Sequence, residues 1–295
     1  MNCLVNINKP LGISSSDVVI KCRKAMSKAL GYKVKCGHMG TLDPLAEGVL
    51  VLGFGKATRL FDYMQIKTKR YVATVTFGKT TDTLDREGRV VATSTLPRHG
   101  QIQRAINAFR GDITQIPPAY SAISIDGVRA YELARRGSEV ELPSRKVTIY
   151  DIRVLDTECE GEYCKSVEIS VECSSGTYIR SLARDIADVL GVVGYMSSLR
   201  RTASGRYFIE DSVSLDEFIA NPCEYVEPLL TTLSRSIPTY EIPPSKRKQV
   251  LNGVPCALQD IAEGYVLLTV DGQLYSLAYT QDGITKSKVN LWQDN

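Results

Sequence analysis

The chain has 295 residues, of which 43% are hydrophobic and 23% are charged, so it is long enough and apolar enough to bury a core. Its net charge of +3 is too small to indicate a nucleic-acid-binding protein by itself. Eight cysteines without a C-x-x-C pair and only two histidines argue against a structural zinc site, and no apolar run is long enough to span a membrane.

The distribution of charge and the spacing of the cysteines indicate a binding surface and a cellular compartment. Residues 1–36 contain seven lysines and arginines against one aspartate, a density typical of an exposed helix face or of a surface that binds phosphates. The sequence opens without the apolar segment of a secretory signal, and its cysteines are scattered. We therefore expect a cytoplasmic protein with reduced thiols.

The first half of the chain is predicted to mix strands and helices. Residues 3–7 alternate as a short strand, and the polar residues 14–17 cap a helix that ends at Gly31. Apolar patterns predict strands at 49–54 and 71–77, a turn at 85–88 before a third strand, and a helix from 102 to 109.

The second half contains a predicted surface insertion and a predicted boundary. The insertion, at about 117–145, combines flanking prolines with a short strand, a turn and a basic helix over 131–136. Strands at 145–157 and 165–173 and an amphipathic helix at 178–190 follow. Three prolines between 238 and 244 precede short strands typical of a small β-barrel. We expect an α+β protein with domains over 1–237 and 238–295.

Common cofactor-binding and hydrolase motifs are incomplete or absent in this sequence. Gly78-Lys79-Thr80 resembles the end of a phosphate-binding loop, but the motif requires glycine at position 73, which is Ala73. The G-x-S-x-G sequence of a nucleophile elbow is absent. The sequence therefore predicts no nucleotide cofactor and no nucleophilic serine of that class.

The most unusual segment is residues 37–50, GHMGTLDPLAEGVL. Its three glycines indicate a backbone that turns tightly or that another group approaches closely. Taken alone, Asp43-Pro44 is also typical of a helix start, with the carboxylate as cap and proline in the first turn.

This segment resembles the signature of the TruB family of tRNA pseudouridine synthases, whose G-H-x-G-x-L-D-P-x-A-x-G-x-L loop carries the catalytic aspartate. Further segments resemble family motifs in the same order, namely residues 9–15, 53–59, 69–85, 117–137, 176–182 and 199–202. The resemblance covers about residues 4–210. It implies a mixed β-sheet pseudouridine synthase core, an RNA-binding insertion and a small C-terminal PUA-like β-barrel.

The resemblance implies roles for five residues around the reaction. Asp43 corresponds to the catalytic carboxylate, and Arg180 to its partner, whose positive charge would favour the ionised form. Tyr71 resembles the tyrosine that stacks on the target uracil. Tyr178 and Leu199 match positions that line the base pocket.

The resemblance also implies how RNA is bound. His38 matches the histidine that contacts RNA where the target base has left its stack. The basic segment near the N-terminus would contact phosphates, as would a second basic group: Arg129, Arg135, Arg136, Arg145 and Lys146.

The implied reaction breaks the N1–C1′ bond of a uridine, turns the uracil and joins C5 to C1′. Nothing is oxidised and no group is imported, so we expect neither a cofactor nor a metal. A carboxylate can begin by attacking the base, by attacking the sugar or by removing the C2′ proton, and the sequence leaves all three open. A stacked uridine is out of reach, so it must be flipped.

The expected substrate is uridine 55 in the T-arm of tRNA, modified by a monomer without a guide RNA. One alternative is a tRNA-folding chaperone whose catalysis is secondary. Another is the related guide-RNA-dependent synthase, which the insertion disfavours because it resembles that of the stand-alone bacterial form.

Overall fold

The computed structural model describes residues 1–64, 67–121, 124–125, 127–135 and 142–292. In these ranges the α-helices are α1 (Ser15–Leu30), α2 (His99–Asn107), α3 (Ala130–Arg135), α4 (Ile179–Val189), α5 (Leu215–Ala220), α6 (Leu229–Ser234) and α7 (Pro244–Leu251). Two short 3₁₀ helices span Gly55–Leu60 and Ile209–Asp211.

The strands of the same ranges form one large sheet, one smaller sheet and two short hairpins. They are β1 (Cys3–Lys9), β2 (Cys36–His38), β3 (Ala46–Phe54), β4 (Thr68–Phe77), β5 (Lys79–Thr81), β6 (Val90–Thr93), β7 (Gly111–Gln115), β8 (Ser124–Ile125), β9 (Val128–Arg129), β10 (Arg145–Glu160), β11 (Tyr163–Ser174), β12 (Gly194–Ser204), β13 (Tyr207–Phe208), β14 (Val213–Ser214), β15 (Glu227–Pro228), β16 (Thr239–Glu241), β17 (Cys256–Ala257), β18 (Gly264–Val270), β19 (Gln273–Gln281) and β20 (Ile284–Asn290).

The large sheet is mixed. Its main path runs β14-β1-β3-β12-β4-β11-β10-β7, with β13, β15 and β2 paired beside it. The β1/β14 and β3/β12 pairs are parallel, and the remaining pairs are antiparallel. This arrangement confirms the α+β class expected from the irregular order of elements.

Helices cover both faces of this sheet near β3 and β4. Buried and half-buried residues alternate along β4, and its buried face packs against the apolar side of α4, formed by Leu182, Ala183 and Ile186. On β3 almost every residue is buried, since α1 packs on one face. This explains why β3 is a continuous apolar run rather than an alternating one.

Local signals set the ends of α1. Ser14 and Asp17 form a reciprocal capping box, and Gly31 follows the last turn with a φ of 75°. No helix begins at Asp43, where the Asp-Pro pair permitted one. Residues 44–45 form a turn instead, and β3 starts at Ala46.

The smaller sheet lies in the C-terminal part and has the strand order β16-β18-β19-β20-β17. It agrees with the predicted PUA-like β-structure, and two of its turns are the predicted Asp-Gly pairs at 271–272 and 282–283, where all four residues have positive φ. The two sheets separate between β15 and β16, and the domain boundary at residue 238 remains a prediction.

A group of buried side chains joins the two sheets. We name it the shared apolar cluster, and its buried members are Leu4, Ala57, Leu60, Leu229, Leu233, Leu267, Leu277, Val289 and Leu291. Next to it, the Asn2 side chain donates to the Leu291 carbonyl at 2.9 Å. The C-terminal sheet is therefore packed directly onto the core.

Two further expectations can be compared with the structure. Cys159 and Cys164 form a disulfide, so the expectation of reduced thiols is wrong for this pair. No helix built from the described residues is long and apolar enough to cross a membrane.

Candidate active site

A cavity of about 510 Å³ lies between the loop before β3 and the start of α4. Five predicted site residues from four separate segments line it: Asp43, Tyr71, Tyr178, Arg180 and Leu199. Tyr120, Ser121 and Tyr131 of the predicted insertion line it as well. Side chains more than 150 positions apart in the sequence thus face one cavity that is open to solvent.

An ion pair lies at one wall of this cavity. Arg180 Nε is 3.0 Å from Asp43 Oδ2, and Arg180 Nη1 is 3.5 Å from Asp85 Oδ2. The same guanidinium donates to the carbonyls of Thr83 and Tyr120 at 3.1 and 2.9 Å. Only 7% of the Arg180 side chain is exposed, against 34% for Asp43. The arginine is therefore buried with two carboxylates, and of these Asp43 is the one that faces open space.

The position of Arg180 near the start of α4 is electrostatically unfavourable, because the positive end of a helix dipole repels a cation. The two carboxylates offset that repulsion. Asp85 is itself fixed, since its Oδ1 accepts hydrogen bonds from the Thr83 hydroxyl at 2.6 Å and from the Glu87 backbone N–H at 3.0 Å.

The backbone around Asp43 is held by hydrogen bonds on both sides. Ser15 Oγ both donates to and accepts from the Leu42 backbone, at 2.8 Å in each case. The Gly12 N–H donates to the Pro44 carbonyl at 2.9 Å, and the Ala46 N–H to the Asp43 carbonyl at 3.0 Å. These bonds fix the residues on either side of the carboxylate.

Two buried cations complete the support of this loop. Arg201 is fully buried and donates to the carbonyls of Gly40 at 3.0 Å, Thr41 at 3.3 Å and Val49 at 2.7 Å. Lys9 is also fully buried, and its Nζ donates to three carbonyls, including that of Pro44 at 3.4 Å. Burial lowers the pKa of Lys9 to about 8, against the opposing attraction of Asp43.

Strands β4 and β12 place the apolar wall of the cavity. Tyr71 on β4 lies opposite Arg201 on β12, and Leu199 lies opposite Ala73 on one side and Ala46 of β3 on the other. Tyr71 and Leu199 are 6% and 8% exposed. Burial raises the pKa of the Tyr71 hydroxyl, while the neighbouring Arg201 acts in the opposite direction.

Tyr178 is fixed through its backbone. Its N–H donates to Gln115 Oε1 at 2.8 Å, and Gln115 Nε2 donates back to its carbonyl at 3.0 Å. Arg145 covers the Tyr178 ring, with its guanidinium carbon 5.3 Å from the ring centroid. A buried glutamine and a half-buried cation therefore set the position of this ring.

His38 lies in an adjoining cavity of about 520 Å³, together with Met39, Gly40 and Lys69, and Lys69 also lines the first cavity. Burial and the charges of Arg201 and Lys69 lower the pKa of His38. Burial, reinforced by Arg201, likewise lowers the pKa of Lys69 to about 8. Among the described residues, the buried Nδ1 of His38 has no hydrogen-bond partner.

Four of the five predicted RNA-binding cations outside the N-terminal segment lie on described elements. Lys146 is exposed on β10 beside Arg145, while Arg129 ends β9 and Arg135 ends α3. Arg136 lies outside the described residues. The exposed side of α1 carries four of the seven basic residues of the N-terminal segment, Lys21, Arg23, Lys24 and Lys28, whereas Lys9 is buried and cannot contact phosphates. Ser14 and Ser16 at the start of α1 line the first cavity.

Comparison with known proteins identifies the family. Residues 27–179 match the family described as "TruB family pseudouridylate synthase (N terminal domain)". The chain belongs to the TruB family. Residues 180–236 match the "tRNA pseudouridylate synthase B C-terminal domain". The resemblance inferred from the sequence motifs is therefore confirmed.

Two curated TruB relatives illustrate the extent of the similarity. The tRNA pseudouridine synthase B of Mycobacteroides abscessus is 39% identical over 98% of this chain and 95% of the relative. That of Syntrophomonas wolfei is 38% identical over 96% of each chain. The similarity extends into the C-terminal sheet, where the sequence motifs gave little information.

Solved structures support the fold. A chain of an H/ACA RNP bound to a substrate RNA containing 2′-deoxyuridine matches with a TM-score of 0.68 at 24% identity, over 99% of this chain and 85% of that one. A chain of a Cbf5-Nop10-Gar1 complex matches with a TM-score of 0.64 at 26% identity, over 99% and 84%. The predicted pseudouridine synthase core is therefore confirmed as the fold of this TruB chain.

Sequence reasoning assigned no role to three residues that support this TruB site, Lys69, Asp85 and Arg201. It counted Lys9 among the basic residues that would contact phosphates, which is wrong, because Lys9 is buried under the Asp43 loop. Each of the four lies within a segment that resembled a family motif. The motifs could therefore indicate their importance, but their contacts with the Asp43 loop, Arg180 and the adjoining cavity appear only in the folded chain.

Proposed function

We propose that this protein isomerises a uridine of tRNA to pseudouridine, with Asp43 as the reactive carboxylate. The observation that carries the proposal is the Asp43–Arg180 ion pair of 3.0 Å at the wall of a cavity large enough for a base. Membership of the TruB family supports it, and so do the names of the relatives that align along almost the whole chain.

The chemistry needs a carboxylate held in one place. The N1–C1′ bond breaks, C5 bonds to C1′, C5 loses its proton and N1 gains one, so no other reactant is consumed. Arg180 contacts Asp43 at Oδ2, and among the described residues no hydrogen bond engages Oδ1. Oδ1 is therefore available to attack the base, to attack C1′ or to remove the C2′ proton.

Asp85 has a distinct role in this scheme. If Asp43 forms a covalent bond, its negative charge is lost and the buried Arg180 would keep no counter-ion from that side. Asp85 remains 3.5 Å from Arg180 Nη1 and supplies one. An unpaired buried charge costs several kcal/mol, so a second carboxylate lowers the energy of any covalent intermediate.

RNA recognition follows from the surroundings of the cavity. The target base must leave its stack at a cost of a few kcal/mol, and the Tyr71 and Tyr178 rings offer aromatic surface to receive it. We propose that His38, in the adjoining cavity, contacts the RNA that the base has left. We propose that Arg145, which covers the Tyr178 ring, and the exposed Lys146 next to it bind phosphates of the RNA.

We further propose uridine 55 of the T-arm as the target, modified in the cytoplasm by a monomer without a guide RNA. The remaining predicted phosphate contacts, Arg129, Arg135 and Arg136, lie on the insertion that resembles the stand-alone bacterial form.

The test follows tritium released from C5 of labelled uridine in an unmodified tRNA, with no guide RNA added. Asp43→Asn keeps the shape of the side chain and should abolish release while tRNA binding stays within a few-fold. Asp151→Asn is the matched control. The Asp151 side chain is 31% exposed, close to the value for Asp43, and it forms an ion pair with Arg110 (2.7 Å) outside the cavity. This variant should retain full activity.

The alternatives give different results in the same assay. Since each tenfold loss of rate corresponds to about 1.4 kcal/mol of barrier, a variant that keeps a tenth of the wild-type rate would exclude Asp43 as the reactive group. A wild-type protein that releases tritium only after a guide RNA is added would favour the guide-dependent synthase. A folding chaperone whose catalysis is secondary would still assist tRNA folding as the Asp43→Asn variant, after tritium release is lost.

A further inference from the structure

Three side chains with metal-binding atoms meet at the tip of the β10–β11 hairpin. They are His99, Cys159 and Cys164, whose ligand atoms all lie within 4.8 Å of one another. None of them lines the cavities described above. In the structure the two cysteines are joined as a disulfide.

Backbone contacts bring these residues together. Cys159 and Cys164 are directly opposed across the hairpin, with their Cα atoms 4.1 Å apart. The Cys164 N–H donates to the Pro97 carbonyl at 2.9 Å rather than across the hairpin. The pair therefore occupies a non-hydrogen-bonded position, where facing side chains come closest.

The histidine is fixed to the same hairpin. The His99 N–H donates to the Glu162 carbonyl at 2.8 Å, so the first residue of α2 is joined to the hairpin turn. Both anchoring hydrogen bonds involve only backbone atoms and do not depend on the bond between the sulfurs. The three side chains therefore stay together when the disulfide is reduced.

We propose that the reduced form of this cluster binds a thiophilic divalent cation of the zinc class. A dithiol reductant converts the disulfide to two thiols and is itself oxidised to a disulfide. The cation then displaces two protons and takes two thiolate sulfurs and one imidazole nitrogen as ligands, which is a set that zinc prefers. The fourth position is left to water.

Charge and burial support this ligand set. Cys164 is fully buried and belongs to the core, whereas Cys159 and His99 are exposed. A buried thiolate alone is costly, but two thiolates neutralise a divalent cation, so the complex with a neutral imidazole carries no net charge. The two exposed ligands leave the site open to ions from solution.

No C-x-x-C spacing marks these metal-binding side chains in the sequence. The cysteines are separated by five positions, and the histidine lies 60 positions before the first of them. Pairing across a two-residue turn makes the cysteines neighbours, and docking of α2 on that turn adds the histidine. The site is thus formed by the fold and not by a sequence motif.

The test uses the full chain, reduced with dithiothreitol and freed of it without oxygen, with Co²⁺ as the probe. We expect one Co²⁺ per chain with thiolate charge-transfer absorption, displaced by Zn²⁺, and no such absorption from the oxidised protein. Cys159→Ser should abolish the absorption, and His99→Asn should weaken binding by about tenfold or more. Cys223→Ser, at an exposed free cysteine, is the matched control and should bind like the wild type.

Tritium release and circular dichroism, measured on each variant, establish that the protein remains folded, and neither should change. Reduced wild type that binds no Co²⁺ through thiolates would overturn the proposal. So would equal binding by Cys159→Ser, or a disulfide that dithiothreitol cannot reduce in the folded protein.

Discussion

Replacing Arg201 with lysine tests how much of the activity depends on the placement of the Asp43 loop. The substitution keeps the positive charge but removes the planar guanidinium, which donates to carbonyls on both sides of the loop. A lysine side chain is shorter and carries one compact ammonium group, so it can reach only one of the three carbonyls. The carbonyls of Gly40 and Thr41, which precede Asp43, then lose their charged donor.

The magnitude follows from these bonds. A hydrogen bond to a charged group contributes about 1.5–3 kcal/mol, so losing two gives a gross loss of about 3–6 kcal/mol. Gly40 is half-buried and Thr41 is exposed, so hydrogen bonds to water offset part of this loss. We expect the free energy of unfolding to fall by about 2–4 kcal/mol. A displacement of about 1 Å at the reacting group lowers rate by about 100-fold.

The assay separates positioning from stability. Arg201→Lys should lower kcat for tritium release by about 100-fold while KM changes little, measured where urea unfolding shows the protein to be native. The control is Arg200→Lys. Arg200 is half-exposed and forms only a long ion pair with Glu47 (3.7 Å), so this variant should behave like the wild type. A kcat for Arg201→Lys within twofold of that control would refute the reasoning.

Three further predictions follow from other parts of the molecule. Gly48→Ala places a Cβ 2.2 Å from a β12 carbonyl oxygen and should destabilise the protein and remove activity. Gly191 also has a positive φ, 71° against 105° for Gly48, but it faces open space, so Gly191→Ala should cost about 1 kcal/mol in urea unfolding. The pKa of Lys69 is about 8 in the folded protein and near 10.5 unfolded, so between these values the unfolded chain binds more protons and stability rises with pH. The free energy of unfolding of the wild type should therefore rise relative to Lys69→Met from pH 8 to 10, and parallel curves would contradict this. Lys146→Ala should reduce the slope of log affinity for tRNA against log salt by about one, whereas Lys165→Ala, paired with a glutamate at the far hairpin tip, should leave it unchanged.

The elements that could be predicted are those with local signals. The capping residues of α1 and its terminal Gly31 lie within the helix segment itself, and the apolar run of β3 needs no partner to be seen. Strand β12 was not predicted, although it lies between β3 and β4. Its residues Ser197 and Ser198 are polar, and they pair with threonine hydroxyls on β4 at 2.8 and 2.7 Å, more than 120 positions earlier in the chain. Such partners cannot be read from the local pattern.

The same distinction applies to the candidate site. A motif located the loop of Asp43 because the glycines and the Asp-Pro pair are contiguous in sequence. The contacts of Arg201 span about 160 positions and those of Asp85 with Arg180 nearly 100, so only the folded chain assigns them. Lys9 likewise belongs to a basic segment that is visible in the sequence, but only the folded chain shows that it is buried under the loop.

The shared apolar cluster has a consequence for any experiment that shortens the chain. Ending the protein near residue 238 would remove Leu267, Leu277, Val289 and Leu291 and leave the leucines opposite them facing water. Truncating even one large buried side chain to alanine costs about 2–5 kcal/mol, and here four are lost together. Because the two sheets share one apolar interior, the C-terminal strands are part of the folded core and not an independent appendage. A role of these strands in RNA binding can be tested only by substitutions at their exposed positions.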